Sequence, residues 1–241
     1  MSKISTGSVA QGLAAAAAVA ATLLLAGCGG GDAANRASFI SFLKTRILDK
    51  PGMHVPQLTT AERSSFGRYA KDYGVMTDFN ETMNKSVSPK LTAAVTAGSI
   101  TSLEDVVTRR AQLQAARTGV DAMGAALGGD LAQADAAHAK LKQPADLKPV
   151  YDQAYDRLVT QPAVTFKGIV PVMDKVLDQA VDLGGYIDAH RAQVQLSGST
   201  VRASDPTVRA EINKRLLALQ SSQQAVLSAQ RAMQSVVYGG S

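Results

Sequence analysis

From Leu113 to Leu141 apolar or half-apolar side chains return every three or four positions without a missed step: Leu113, Ala116, Val120, Met123, Leu127, Leu131, Ala134, His138 and Leu141. Such spacing lines one face of a helix and is incompatible with a strand, whose side chains alternate. Extended back to Thr101 and stopped by Pro144, the segment predicts one helix of roughly 40 residues, about 60 Å long at 1.5 Å per residue. Thr101 with Glu104 forms a capping-box pattern, and Asp105 with Arg109 an i,i+4 ion pair. Gly128-Gly129 is the weakest point of this helix. A continuous apolar stripe has to be covered, so the rest of the chain is read for partners of similar length.

Three such partners are present. Thr59 and Glu62 make a second capping box, after which Phe66, Tyr69, Tyr73, Met76, Met83, Val87 and Leu91 keep helical spacing to about Ala97. Pro89 predicts a kink or interruption near that helix's end. Pro149 suits the first turn of a further helix, which Gln161-Pro162 interrupts. Ile169, Met173, Val176, Ala180, Leu183 and Ile187 then follow the 4,3,4,3,4 spacing of a bundle seam, with Pro171 predicting a local kink. Asp205-Pro206 supplies N-cap and first-turn residues for the last helix, with Ile212, Leu216, Leu219, Val226, Met233 and Val237 on its apolar face.

A short helix from about Ala34 to Leu48, ended by Lys50-Pro51-Gly52, precedes them. The segment 193–202 alternates around Ser197-Gly198-Ser199 and reads as a small β-hairpin. The expected fold is therefore all-α: an elongated antiparallel up-down bundle of about four long helices, over roughly 60–97, 102–142, 147–192 and 206–238, with a short N-terminal helix. No Gly/Pro-rich or polar linker long enough to divide 34–241 into two domains is present.

The N-terminus has a different layout. Lys3 is followed by an apolar run from Leu13 to Ala26, then Gly27 and the chain's single cysteine, Cys28. The run's 14 residues fall short of the ~20 needed to span a bilayer as a helix, and the arrangement is that of a signal peptide. Leu25-Ala26-Gly27-Cys28 resembles the lipobox of bacterial lipoprotein precursors. That resemblance implies cleavage between Gly27 and Cys28, acyl chains on the Cys28 sulfur, a 1–27 signal peptide, and a flexible tether over 28–33 in front of the helical domain. Two or three acyl chains anchor durably where one anchors marginally. By the sorting rule of enterobacterial lipoproteins, Gly29 in place of aspartate points to the periplasmic face of the outer membrane.

Without its first 27 residues, which contain one charged side chain, the chain has 24 basic and 20 acidic residues. Lys and Arg are scattered, the densest group being Arg109, Arg110 and Arg117, and this is not the concentrated basic face of a nucleic-acid binder. Trp is absent and Ala abundant, a composition suited to helices that approach closely. A lone cysteine allows no internal disulfide, so packing has to hold the fold.

Chemistry is sparse. His54, His138 and His190 lack a second histidine at helical spacing, and no zinc, haem, P-loop, dinucleotide or nucleophile-elbow motif occurs, so neither metal nor cofactor beyond the acyl chains of Cys28 is expected. His138 shares a helix face with Asp135 and is a candidate contact residue. Gln223 and Gln230, seven apart in an apolar stripe, are read as polar positions that fix helix register or line a cavity. Asp174, Asp178 and Asp182 fall opposite the seam of their helix and read as a solvated acidic stripe. Tyr151, Asp152, Tyr155 and Asp156 read as packed rings beside solvated carboxylates.

At "ADAAHAKLKQPADLKPVYDQAY", residues 134–155, the chain resembles the YiaF-like lipoproteins of enterobacteria, a family grouped under a domain of unknown function. Arg36, Phe39, Ile40, Phe42 and Leu43, "LTTAERSSFG" from Leu58, Gln161-Pro162-Ala163 and Gly185-Tyr186-Ile187 extend the resemblance over most of the chain. It implies an envelope lipoprotein and transfers no catalytic residue. The expected function is a non-enzymatic scaffold or adaptor that is held to a membrane by its lipidated N-terminus and binds another envelope protein. The alternative is a carrier of a small apolar or amphipathic ligand between the helices; a hydrolase built from dispersed carboxylates is the weakest class. Cys28→Ala is expected to leave an unprocessed precursor that incorporates no labelled palmitate. Normal processing of that variant would overturn the lipobox.

Overall fold

The computed structural model describes residues 27–239 apart from Ser199, with side chains from Gly31 onward. The signal segment and the Cys28 side chain lie outside the described residues. The fold is all-α apart from one hairpin, and the four expected long segments are present, three of them interrupted. Helix α1, Gly27–Phe42, passes directly into a π-helical turn, Leu43–Leu48. Its backbone is helical from Gly27.

Next come α2, Thr60–Phe66, α3, Tyr69–Ser86, and α4, Ser88–Gly98. The Thr59–Glu62 capping box is formed at α2, and Pro89 occupies the first turn of α4, where its missing N–H is tolerated. The expected 40-residue helix is two helices, α5, Leu103–Thr108, and α6, Arg110–Ala139. Its break falls at Arg109 and not at Gly128-Gly129. The capping box there is Ser102 with Asp105, one residue later than expected; Asp105 is held by the amides of Thr101 and Ser102, and Arg109 turns away to Gln112 and the carbonyls of Thr96, Ala97 and Ser99.

Helix α7, Lys148–Tyr155, a π turn over Asp156–Thr160 and α8, Gln161–Ala189, follow one helical path. Pro162 has no N–H for the carbonyl four residues back; the helix widens just before it, so the path continues where the sequence predicted an interruption. Helical backbone also runs through Pro171 without a break. Strands β1, Val194–Ser197, and β2, Thr200–Ala203, pair antiparallel with Val194 opposite Ala203. Gly198 turns the hairpin at φ +60°, a conformation only glycine adopts freely, and its carbonyl accepts from Leu103 N at the start of α5. Asp205 caps α9, Pro206–Ser221, and a break at Ser222 separates it from α10, Gln223–Tyr238.

The bundle is organised around α6 and α8. Arg110 pairs with Asp188, Arg117 with Asp174 and Asp178, Asp135 with Tyr155, and His138 with Asp152. One index rises as the other falls, so α6 runs antiparallel to the α7–α8 path. Helices α3 and α4 pack on α6, and α9 and α10 pack on α8. The main core joins Phe39, Phe42, Phe66, Tyr69, Tyr73 and Tyr151 into an aromatic end, with ring centroids 5.1–6.5 Å apart. A smaller core of Val106, Leu183, Ile187, Val194, Val208 and Ile212 joins α5, α8, β1 and α9 at the other end.

Helices α5 and α8 approach closely: a Cβ on Gly184 would stand 2.4 Å from the carbonyl oxygen of Val106. Gly184→Ala is therefore expected to destabilise by about 1–3 kcal/mol through overpacking, with Tm falling by about 2–4 °C per kcal/mol. At Gly185 the nearest atom to an added Cβ, Arg110 Nη1, is 3.8 Å away. Gly185→Ala is expected to be neutral or up to about 1 kcal/mol stabilising. Thermal melts of both variants check the pair.

Candidate functional site

Two places concentrate features that the helical scaffold alone does not require. The first is the junction of α6 and α7. His138 Nε2 lies 2.9 Å from Asp152 Oδ1, and Lys148 Nζ donates to Asp152 Oδ2 at 2.8 Å. The His138 ring stacks on Tyr155 with centroids 4.1 Å apart, and Tyr155 donates its hydroxyl proton to Asp135 Oδ1 at 2.7 Å. Tyr151 is fully buried and donates to the carbonyl of Asp72 at 2.5 Å, tying α7 to α3.

The sequence placed His138 with Asp135. The structure gives each a different partner on α7, because α6 faces α7 here and the helical wheel shows only neighbours on one helix. Tyr151 and Tyr155 are packed rings as expected; Asp152 is engaged by two cations or donors instead of lying free in solvent. Burial raises both tyrosine hydroxyls above their ordinary range, with Asp135 adding to the effect at Tyr155. Burial alone would also raise Asp152, but hydrogen bonds from Lys148 and His138 outweigh it and hold the carboxyl below its ordinary value. The hydroxyls of Tyr151 and Tyr155, His138 Nε2 and the carboxylates of Asp135 and Asp152 are each turned to another side chain or a backbone carbonyl, which is the arrangement of a lock between helices.

The second place is a groove bounded by α4, α8 and α10. Its volume is about 380 Å³, and its lining runs from Leu91, Ala94 and Val95 on α4, over Ile169, Met173 and Leu177 on α8, to Val226 and Met233 on α10. Gln230 and Ser99 are its polar residues. Ser99 Oγ donates to Val95 O at 2.9 Å and is already satisfied. Gln230 is exposed on the α10 wall, and Gln223, also exposed, opens α10 away from the groove. Neither glutamine is buried in a seam, because the break at Ser222 resets the phase of the stripe. The buried polar residue of this region is Ser222 itself, whose hydroxyl donates to Gln179 Oε1 at 2.8 Å. Paired serines in a helical stretch were the readable sign of the break, since serine competes with helical bonding.

The acidic stripe is exposed at Asp178 and Asp182, as expected, and is also paired with arginines. Asp174 and Asp178 face Arg117 at 2.8 and 2.7 Å, and Asp182 is 2.9 Å from Arg215. That last pair is an ionic contact only, as Arg215 Nε makes no hydrogen bond; its guanidinium lies over the Tyr186 ring at 4.2 Å. These carboxylates bridge helices and leave no pair aimed at a shared cleft. His190 stacks on Tyr186 and His54 is exposed in a loop. Among the described residues no group of three or more His, Cys, Asp or Glu is placed to hold a metal, and no helix is long and apolar enough to cross a membrane.

The fold and site thus define an all-α helical bundle with an apolar side groove. Residues 15–234 match the family described as "Protein of unknown function (DUF3053)", and the chain belongs to that family. It is 30% identical over 210 residues to "Uncharacterized protein YiaF" of Escherichia coli strain K12, an alignment covering 87% of this chain and 89% of that protein. The protein of the same description from Shigella flexneri matches to the same extent. No solved structure matches the chain.

Because the Asp152 carboxyl is held below its ordinary value, its bonds support the fold at pH above about 4 and are lost as pH falls through the lowered value. Asp152→Asn is expected to make the acid fall of Tm shallower below that pH. Parallel curves for variant and parent would show that the α6–α7 lock is not sensitive to this carboxyl.

Proposed function

We propose that this chain is a non-enzymatic envelope lipoprotein, anchored through acylated Cys28 and facing the periplasm from the outer membrane, that carries an apolar or amphipathic ligand in the α4–α8–α10 groove. The groove is the observation that carries the reading. Its 380 Å³ lies within the ~300–1,000 Å³ range of small-molecule sites, and it is lined by apolar side chains with a single free amide at its wall. An interior packed solid would have favoured a pure scaffold. The anchor is supported by the lipobox pattern of Leu25 to Cys28 and by the fit of the family match, which extends from residue 15 across the cysteine and the bundle.

The adaptor reading keeps one supporting observation: Val95 lines the groove yet is 56% exposed, and Leu227, next to the lining residue Val226, is 45% exposed. A helix of another envelope protein would cover both. The two readings part experimentally. A carrier should enhance the fluorescence of 1-anilinonaphthalene-8-sulfonate in the folded state, and Val226→Lys on the groove wall should weaken that binding by about tenfold or more, near 1.4 kcal/mol. Val226 is only half-buried and α10 contributes no fully buried side chain, so the variant is expected to fold. Unchanged probe binding in Val226→Lys, together with a stable protein partner captured by cross-linking in whole cells, would favour the adaptor and overturn the carrier.

A further inference from the structure

We infer that the groove takes one hydrocarbon chain of an amphiphile, lying along α8 with the polar head outside; this rests on the carrier reading and specifies its ligand. Three features lead to it. The first is shape. On α8 the lining extends from Ile169 to Leu177, eight helical rises or about 12 Å, and on α4 from Leu91 to Ser99, again about 12 Å. The third wall also follows this axis. Ser222 at the head of α10 bonds Gln179, while Val236 near its tail accepts from Met53 N, beside the Gly52 carbonyl that Arg157 holds. Helix α10 therefore runs opposite to α8, and the space between them is elongated. At about 380 Å³ it lies at the small end of ligand sites, room for one chain and not for two side by side.

The second feature is the absence of charge. No Asp, Glu, Lys, Arg or His is among the lining residues. An ionised head drawn into the groove would be desolvated without a partner, which is strongly unfavourable. The nearest cation at the Ser99 end is not available either. Arg109 donates to the carbonyls of Thr96, Ala97 and Ser99 and to Gln112, so its guanidinium finishes α4 and offers no anion site. Only Gln230 remains to meet a polar group, and it stands exposed where the groove meets solvent. A ligand whose apolar part is inside and whose head is outside satisfies every one of these groups.

The third feature is the way in. Helix α10 packs on α8 and has no fully buried side chain, and the α4 wall is formed partly by exposed Val95. The groove is open along its flank between α4 and α10, so a chain can be laid in sideways without unfolding the core.

The test is a chain-length series on the full-length folded protein. Saturated fatty acids from about six to sixteen carbons, kept below their micelle concentrations, are titrated against bound 1-anilinonaphthalene-8-sulfonate. Each methylene buried is expected to tighten binding about fourfold, until the chain fills the groove and affinity levels off. A lysophosphatidylcholine and an alkyl trimethylammonium salt of plateau length should bind within about threefold of the fatty acid. Ala229→Phe, which fills the groove from the α10 wall, should move the plateau to shorter chains. A flat response to chain length, or a preference above about tenfold for one head group, would overturn the single-chain, head-outside inference while leaving the groove as a site. A protein that binds no probe at all would remove the carrier reading and this inference together.

Discussion

The antiparallel packing of α6 on α8 is the constraint on which the rest of the molecule depends. Small residues let the two helices approach: Gly124 faces Val170, and Ala116 and Ala180 are buried. Their long sides are then sealed by ion pairs from Arg110 to Asp188 and from Arg117 to Asp174 and Asp178. Such half-exposed pairs add little stability individually, commonly about 0–1 kcal/mol. Their larger effect is to select a register among apolar stripes that would slide past one another at similar energy. Once α8 is placed, α5 reaches it through the gap left by Gly184, and α9 and α10 are laid against its remaining faces.

The two ends of this axis are finished differently. At one end the chain spends most of its few aromatic rings in a single cluster, and Tyr151, Tyr155 and His138 bolt α6, α7 and α3 together. At the other end small aliphatic residues and the hairpin close the fold. The groove lies along the middle, where α4 and α10 stand apart over α8 and no large ring fills the space. A rigid axis with one under-filled flank is a physical basis for binding an elongated apolar ligand, and it requires no catalytic group.

Much of the scaffold was legible as periodicity. Leu113, Ala116, Val120, Met123, Leu127 and Ala134 are all buried, as are Ile169, Ala180, Leu183 and Ile187. The Thr59 box, the Asp205 cap, the interruption near Pro89 and the hairpin around Gly198 were readable because each depends on residues close to one another in the chain. The break at Arg109 was not, since the stripe continues across it and the interruption is set by a neighbouring element: Arg109 is drawn to the end of α4. Ser221-Ser222 gave a local sign of the second break, but the bond of Ser222 to Gln179 was not readable. The partner of His138 escaped for the same reason, lying 14 residues away on the next helix.

The amino-acid sequence by itself determined which faces are apolar, where most helices start and the family resemblance, and it carries the pattern around Cys28 on which the proposed anchor rests, because all of these are written in local spacing and residue type. Tertiary structure alone decided that Asp174, Asp178 and Asp182 pair with arginines, that Gln223 is exposed away from the groove while Gln230 is exposed at its wall, and that part of the apolar stripe of α8 is left uncovered between α4 and α10. An apolar stripe reads the same whether another helix covers it or a groove is left open above it. Which of the two occurs depends on the separation of helices distant in the chain, and no local pattern encodes that distance.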